Sequence, residues 1–517
     1  MPLTSRHCIP LLLAMGLIVP SGVTAATITA ANCSSAAVQA AIDAAVDGDT
    51  VVIPNGTCAW TSGVTISGKG IKLRGGGSGR IIARSTSSVT VGAGSKTFAT
   101  QSGLNISAGQ TLRVSELGDR SNYVEGLVTS YSGATLTINA TSTGGSGTRK
   151  LWIISTPPTT TIVDNFSSTL LDITEDTTHH VEISGIKIAD GSGSGRRIDV
   201  NRNYPGGKAV LVHDCWLEAG TGLALFWTDS NRGVIWKCSF DASPFSMAQL
   251  AIQQETDIVI DSWTTPSTMG SADTTGESNL YIEDSDFHAF IHATDFDSNA
   301  RAVMRRNVFN NAAIGTHGAD TSNHGQRHLE VYDSEFVFDG FSDGSTFPLN
   351  HWFFIRGGTL VVTGNIMPVI DSQDYPGKSE FEITVMNLQR NSGPNPCWGA
   401  GMPGIQYPAP RQAGFGRVTG NGVDGLGRST DSITYVGDSE PIYIWNNTSN
   451  GTIDVGSSDF GECSGADATD DYVQPGRDYF LNAGPKPGYQ KFTYPHPLRV
   501  LVGSVPAPPS NLRIIPN

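Results

Sequence analysis

Leu280-Tyr-Ile-Glu-Asp-Ser-Asp-Phe287 is followed by Ala302-Val-Met-Arg-Arg-Asn-Val-Phe309, Leu329-Glu-Val-Tyr-Asp-Ser-Glu-Phe336 and Leu360-Val-Val-Thr-Gly-Asn-Ile-Met367. Each phrase opens with apolar residues two apart, passes through a small polar residue and closes on an apolar one. The same phrase runs upstream as Val210-Leu-Val-His-Asp-Cys-Trp-Leu217, Gly233-Val-Ile-Trp-Lys-Cys-Ser-Phe240 and, more loosely, Val181-Glu-Ile-Ser-Gly-Ile-Lys-Ile188; Ile442-Tyr-Ile-Trp-Asn-Asn447 is a late echo. Aligned on the small residue, Ile186, Cys215, Cys238, Ser285, Asn307, Ser334 and Asn365 are separated by 29, 23, 47, 22, 27 and 31 residues. Period-two strands recurring at such steps, with no helical pattern between them, are the signature of a β-solenoid. The step of 47 reads as two coils. Strands of successive coils stack about 4.8 Å apart, so equivalent turn residues become neighbours.

On these phrases the chain resembles the right-handed parallel β-helix superfamily, which includes pectate lyases, other polysaccharide lyases, glycoside hydrolases and phage tailspikes. His317-Gly-Ala-Asp320, Arg356-Gly-Gly-Thr359, Pro441 to Asn447, Gly476-Arg-Asp-Tyr-Phe480 and Tyr494-Pro-His-Pro497 further resemble motifs of uncharacterised bacterial exported proteins of this fold. The resemblance implies an all-β right-handed parallel β-helix without fixing one activity; the expected one is a polysaccharide lyase acting on a uronic-acid-containing glycan, with a glycoside hydrolase second. No catalytic motif of the family's lyases maps onto this chain residue by residue, and a fold hosts many chemistries.

Residues 1–25 read as a signal peptide, with Arg6, an apolar run from Ile9 to Val19 and the small-residue ending Val23-Thr24-Ala25. Without Cys8 the chain keeps six of its 7 cysteines, an even number suited to an oxidising compartment. Cys33 is expected to pair with Cys58 and Cys397 with Cys463, while Cys215 and Cys238 share the ladder column and read as small buried side chains. Ser35 to Val46 has helical spacing behind a serine cap and would cover the open end of the solenoid. Residues 26–87 thus form the cap and first coils. Between 88 and 155 the pattern changes to short strands divided by turn clusters, and Gly94-Ser-Lys-Thr-Phe98, Asn122-Tyr-Val-Glu-Gly126 and Thr129-Ser-Tyr-Ser-Gly133 resemble the small β-barrel inserted in phage fibre proteins. Residues 156–500 continue the helix with long C-terminal loops, and 501–517 are a Pro-rich tail.

The net charge of −15 argues against nucleic acid as a partner. No stretch after the leader has the length of a membrane span. The expected protein is a secreted monomer, extracellular or periplasmic, whose partner is an extracellular polysaccharide.

Six of the 11 histidines fall between Phe287 and Arg356. Asp295 lies ten residues past Ser285 and His317 ten past Asn307, which would stack a carboxylate on an imidazole as an acid/base pair. Arg301 and His328 both stand six residues before the next index position. For β-elimination on a uronic-acid glycan, His317 is the candidate base, Arg327 or Arg356 the neutraliser of the carboxylate, and His292 or His351 the acid. For hydrolysis, the paired carboxylates would be Asp295 and Asp320. Trp352, Trp236, His351, Arg301 and His328 are candidate substrate contacts, Trp236 because it would face solvent between two ladder positions; Trp227, Phe290 and Phe353 are further aromatics. Asp295 and Asp297 offer hard oxygens for Ca²⁺, and His317, His324 and His328 with Asp320 a weaker set for a transition metal. A noncatalytic glycan-binding or adhesion protein is the alternative from a different class.

Overall fold

The computed structural model describes residues 25–117, 119–174, 176, 178–201, 207–219, 224–230, 232–242, 248–255, 273–297, 300–316, 326–337, 351–369, 383–385, 413–419, 436–457 and 473–501. The chain is a parallel β-helix built on three ladders. The first contains twelve strands, beginning at Thr27–Thr29 and including Lys72–Arg74, Glu182–Ser184, Val210–His213, Gly233–Trp236, Leu280–Glu283, Arg301–Arg305, His328–Tyr332, Thr359–Thr363 and Ile442–Trp445. The second runs from Gly56–Trp60 through Thr160–Asp164, Lys187–Ala189, Trp216–Ala219 and Ser239–Ala242. The third runs from Val64–Ile66 through Leu171–Thr174, Ile198–Asn201, Phe226–Thr228 and Ala248–Glu255. Asp286–Asp297 and Val308–Thr316 are long enough to cross both the second and the third, which fuses those two into one sheet.

The corner between the first two ladders explains why the phrase recurs. Gly185, Asp214, Lys237, Asp284, Arg306, Asp333, Gly364 and Asn446 all have φ between +49° and +71°. Such a left-handed residue turns the chain through the corner, at a cost for every residue with a Cβ. From Asp214 onward the residue after it is small, Cys, Ser or Asn, and from Ser285 onward its side chain binds the preceding coil. Ser285 accepts from the Cys238 amide, Asn307 from Ser285, Ser334 from Asn307, Asn365 from Ser334 and Asn447 from Asn365, at 2.9 to 3.2 Å. Asn307, Asn365 and Asn447 also donate through Nδ2 to the carbonyls of Ile282, Val331 and Val362. Cys215 and Cys238 occupy the same column as free, buried thiols. One expectation is corrected by this ladder. Cys238 and Ser285 are on adjacent coils, so the step of 47 residues is a single, longer coil. Strand pairing constrains the corner but leaves the connecting loop free to grow.

The N-terminal helix Ser35–Ala44 has the expected Ser34 cap, and a Cys33–Cys58 disulfide ties its approach to the first coil. Cys397 and Cys463 lie outside the described residues, as does the expected leader up to residue 24. No helix among the described residues is long and apolar enough to cross a membrane.

The inserted module leaves the helix at a corner of the second coil, between Lys72–Arg74 and Thr160–Asp164. Its six-stranded antiparallel sheet takes in Ile81–Ser85 and Trp152–Ser155 at one side. Phe98, Leu112, Val124, Leu136, Ile138 and Trp152 fill a core of its own. The module then lies back on the outer face of the second ladder. Arg84 pairs with Asp286, and Arg120 with Asp241, which also binds His288 Nδ1 at 2.6 Å. Ile81, Leu117 and Ile153 pack on Trp216. Burial would raise the Asp241 carboxyl, but Arg120 and His288 hold it well below the usual carboxylate range.

The outer face of the first ladder is also covered. The segment from Tyr489 to Arg499 crosses it, burying Phe492 and Leu498 on Tyr281 and Val303. Beneath this strap Glu283 is fully buried between Arg305 and Arg499, and Arg305 donates onward to the Phe492 and Thr493 carbonyls. Toward the N-terminal end of the same face, His213 stacks on Trp236 with ring centroids 4.2 Å apart. Its two nitrogens meet Asp214 and Glu182. Burial alone would lower the imidazole, but those two carboxylates overcome it and push His213 up to about 9.

Two stability measurements follow from this architecture. Replacing Asn365 by Leu removes the acceptor of the Ser334 amide and the donor to Val331, leaving buried groups unpaired. Denaturant unfolding is expected to show a loss of about 2–4 kcal/mol. His213 is protonated in the fold up to about pH 9 and in the unfolded chain only to about 6.5. Its contribution is complete below pH 6.5 and is lost as pH rises through 9. With screening at half-exposed Asp214, the difference in pH-dependent stability between the native chain and His213→Gln is expected to be about 1–3 kcal/mol across that window.

Candidate functional site

Along the third ladder, core residues alternate with outward ones. Phe226, Ile252, Phe296, Ile314, Phe353 and Ile355 belong to the solenoid core. Their strand neighbours therefore point out, and register makes them one column: Asp199, Trp227, Gln253, Asp295, Gly315, Phe354. Trp227 and Gln253 are half-buried, and Asp295 is 8% exposed.

Asp286–Asp297 carries an irregularity that shapes this face. Phe290 pairs with Ala312 and Thr294 with Ile314, so three residues on one strand oppose one on the next. Ala289, just before the shift, has φ +63°. The extra residues include His292, whose ring lies over Gly315. A Cβ at residue 315 would come within 2.7 Å of His292 Cγ and 2.9 Å of the Thr294 carbonyl oxygen, so glycine provides the floor for the imidazole. His292, His351 and Phe354 then form a set of near-parallel rings. Centroids are 5.6 Å apart for His292 and Phe354, 4.9 Å for His351 and Phe354, and 5.9 Å for the two histidines. The Arg356 guanidinium lies 4.9 Å from the Phe354 ring centroid. One patch thus combines two half-buried imidazoles, a carboxylate on the same strand as one of them, and a guanidinium. Such a set can move protons and bind an anion.

Four of the expected residues meet here: His292, Asp295, His351 and Arg356. Counting ten residues from each corner does not pair Asp295 with residue 317. Its partner on the next coil is Gly315, because the two extra residues around His292 shift the count. His317, Asp320 and His324 lie outside the described residues. Arg301 and His328 are neighbours in register, as expected, but they belong to the first ladder. His328 is fully buried, with Nε2 on Glu330 at 2.9 Å; burial lowers its pKa and the Glu330 bond only partly restores it. Arg327 makes a two-pronged pair with Glu440 at 2.8 and 3.1 Å. Arg301 is pushed down to about 10 by burial first and by Arg327 second.

The aromatic expectations are corrected in part. Trp236 does not face solvent. It is fully buried, covered by His213 and with the Arg499 guanidinium 5.7 Å from its ring centroid. Trp352 is likewise buried, its indole donating to the Pro368 carbonyl, and Phe290 and Phe353 are core residues. Their neighbour Phe354 was the outward ring, legible only once the strand phase of Phe353 to Ile355 was known.

Asp297 shares the outward face with Asp295 but is only 1% exposed. Among the described residues no third carboxylate, imidazole or thiolate joins this pair closely enough to hold an ion; the one such group of three is Asp47, Asp176 and His179, at a turn near the N-terminal end. The described part of the patch does not fit a protein-ligated Ca²⁺, which takes six or more oxygens.

No family model and no curated protein matches the chain. Among solved structures, the alginate lyase from Paenibacillus sp. str. FPU-7 is similar over 84% of this chain and 98% of its own, at 10% identity and a TM-score of 0.36. The exopolygalacturonase from Thermotoga maritima is similar over 68% of this chain and 80% of its own, at 10% identity and a TM-score of 0.24. The Gp54 tailspike of Acinetobacter baumannii bacteriophage AP22, solved with a capsular saccharide, is similar over 87% of this chain and 70% of its own, at 10% identity and a TM-score of 0.20. These are distant likenesses of architecture, and the assignment of the fold rests on the ladders themselves.

Proposed function

We propose that this chain is a secreted enzyme that cleaves an acidic extracellular polysaccharide by β-elimination on the outer face of the third ladder. The observation that carries this reading is the placement of His292 and His351 within 5.9 Å of each other beside Arg356. Elimination needs a base for the proton next to the carboxylate, a positive group to spread the charge that develops there, and an acid for the leaving oxygen. One imidazole serves as base and the other as acid, and Arg356 takes the sugar carboxylate. The Cys33–Cys58 disulfide supports an oxidising, extracytoplasmic compartment.

Hydrolysis would instead use two carboxylates. Asp295 and Asp297 project from one face of their strand, about 7 Å apart by strand geometry, within the range of an inverting pair. Asp297, however, is 1% exposed while both imidazoles are half-buried, which favours elimination.

The purified chain is to be tested on pectate, alginate, glucuronan, chondroitin and neutral glycans, following unsaturated products by ultraviolet absorbance and chain breaks by reducing ends. Unsaturated product that falls about 10²–10⁴-fold in His292→Ala and in His351→Ala, with thermal unfolding unchanged, is the expected result. Reducing ends without unsaturation, sensitive to Asp295→Asn, would replace elimination by hydrolysis. Binding with no product from any polymer would make the chain an adhesion protein. Gly315→Ala tests the floor of the site: the added methyl displaces His292, and turnover is expected to fall at least tenfold while stability falls by about 1–3 kcal/mol.

A further inference from the structure

The outward column has a second platform on the far side of Asp295. Trp227 stands two strands before Asp295, and Phe354 two strands after it. Each ring has an arginine against it: the guanidinium carbon of Arg196 is 3.5 Å from the Trp227 centroid, and that of Arg356 is 4.9 Å from Phe354. At the strand spacing of a sheet, each lies about 10 Å from Asp295 and the pair spans about 19 Å.

The Arg196 platform is built rather than incidental. Its Nη1 donates to Asp199 Oδ2 at 2.6 Å, and the Trp227 indole donates to Asp229 at 2.8 Å, so both groups are oriented before anything binds. Among the described residues Arg196 Nε and Asp199 Oδ1 have no hydrogen-bond partner although both are buried. The Arg196 side chain keeps 26% of its surface while that of Asp199 keeps 5%, so a ligand meets the guanidinium rather than the carboxylate. A planar guanidinium held on an indole suits a carboxylate, which it meets with two parallel hydrogen bonds.

We infer that Arg196 and Trp227 form a distal subsite for a uronate unit, and that a linear acidic glycan lies along the solenoid axis, across the strands, from Arg196 to Arg356 with Asp295 midway. This rests on the reading of the His292 patch as the cleavage site. Gln253, half-buried between Trp227 and Asp295, then faces the hydroxyls of the intervening sugar. The subsite requires a polymer with carboxylates on units several sugars apart and gives nothing to a short oligomer seated only over His292.

The test uses size-graded oligogalacturonides, alginate oligomers and glucuronan oligomers, with neutral cello-oligomers as control. Affinity is measured by calorimetry for the native chain, Arg196→Gln, Trp227→Ala and Trp227→Phe. Long oligomers of one acidic series are expected to lose roughly tenfold in affinity with Arg196→Gln and Trp227→Ala. Short ones stay unchanged, and Trp227→Phe keeps most of the binding. Thermal unfolding of the variants separates this from misfolding. Equal loss for short and long oligomers, or no loss for long ones, overturns the subsite. A chain that cleaves a neutral polymer through His292 overturns it while the cleavage site stands. Length-dependent, Arg196-dependent binding with activity indifferent to His292 and His351 supports the subsite and sinks the reading of the patch as catalytic.

Discussion

Everything in this solenoid depends on the corner between the first two ladders. A left-handed residue turns the chain there, and the side chain after it bonds to the backbone of the preceding coil. The strain of Lys237 or Arg306 in a conformation that L-residues avoid is offset by the satisfied amide and carbonyl of each turn. Because the corner repeats in register, every strand that leaves it has a fixed phase.

That corner was the most legible part of the sequence. Its column, read from Ile186 to Asn365, follows the left-handed corner residues, carries the hydrogen-bonded ladder from Cys238 on, and is extended by Asn447 as the late echo implied. Period-two apolar residues followed by Ser, Cys or Asn carry the signal in adjacent positions, where counting is safe. Counting across a turn was not. The irregularity around His292 shifts Asp295 onto Gly315, and nothing in Phe290-Ile-His-Ala-Thr294 announces three residues facing one. His292, Asp295, His351 and Arg356, which lie along one face, were singled out by residue type within a region rich in histidine. Arg196 and Gly315 were not singled out, because Arg196 meets Trp227 only across neighbouring coils and Gly315 has no side chain.

Burial of charge decided which faces of the solenoid are available. Trp236 was expected in solvent, since it sits in an outward phase. It is outward, but His213 and Arg499 close over it. Farther along the same face, Glu283 between Arg305 and Arg499 would be very unfavourable alone, and the two guanidiniums hold its carboxyl below its ordinary range despite burial. Its partner Arg499 comes from the far end of the chain, a separation no local pattern in Leu280 to Phe287 could report. Among the described residues the strap covers the first ladder and the inserted module part of the second, while the third bears the column of Trp227, Asp295 and Phe354.

A solenoid held together only by contacts between adjacent coils behaves as a one-dimensional stack, able to fray from either end. The inserted module breaks that rule. It is rooted in the second coil, yet Arg84 and Arg120 grip Asp286 and Asp241 several coils farther on. Coils that share no backbone hydrogen bond are thereby braced in parallel, as a splint spans joints it does not belong to. Opening the stack anywhere between root and grip must also tear the module away. The long axis of this molecule is therefore cooperative where an unbraced stack would unzip one coil at a time.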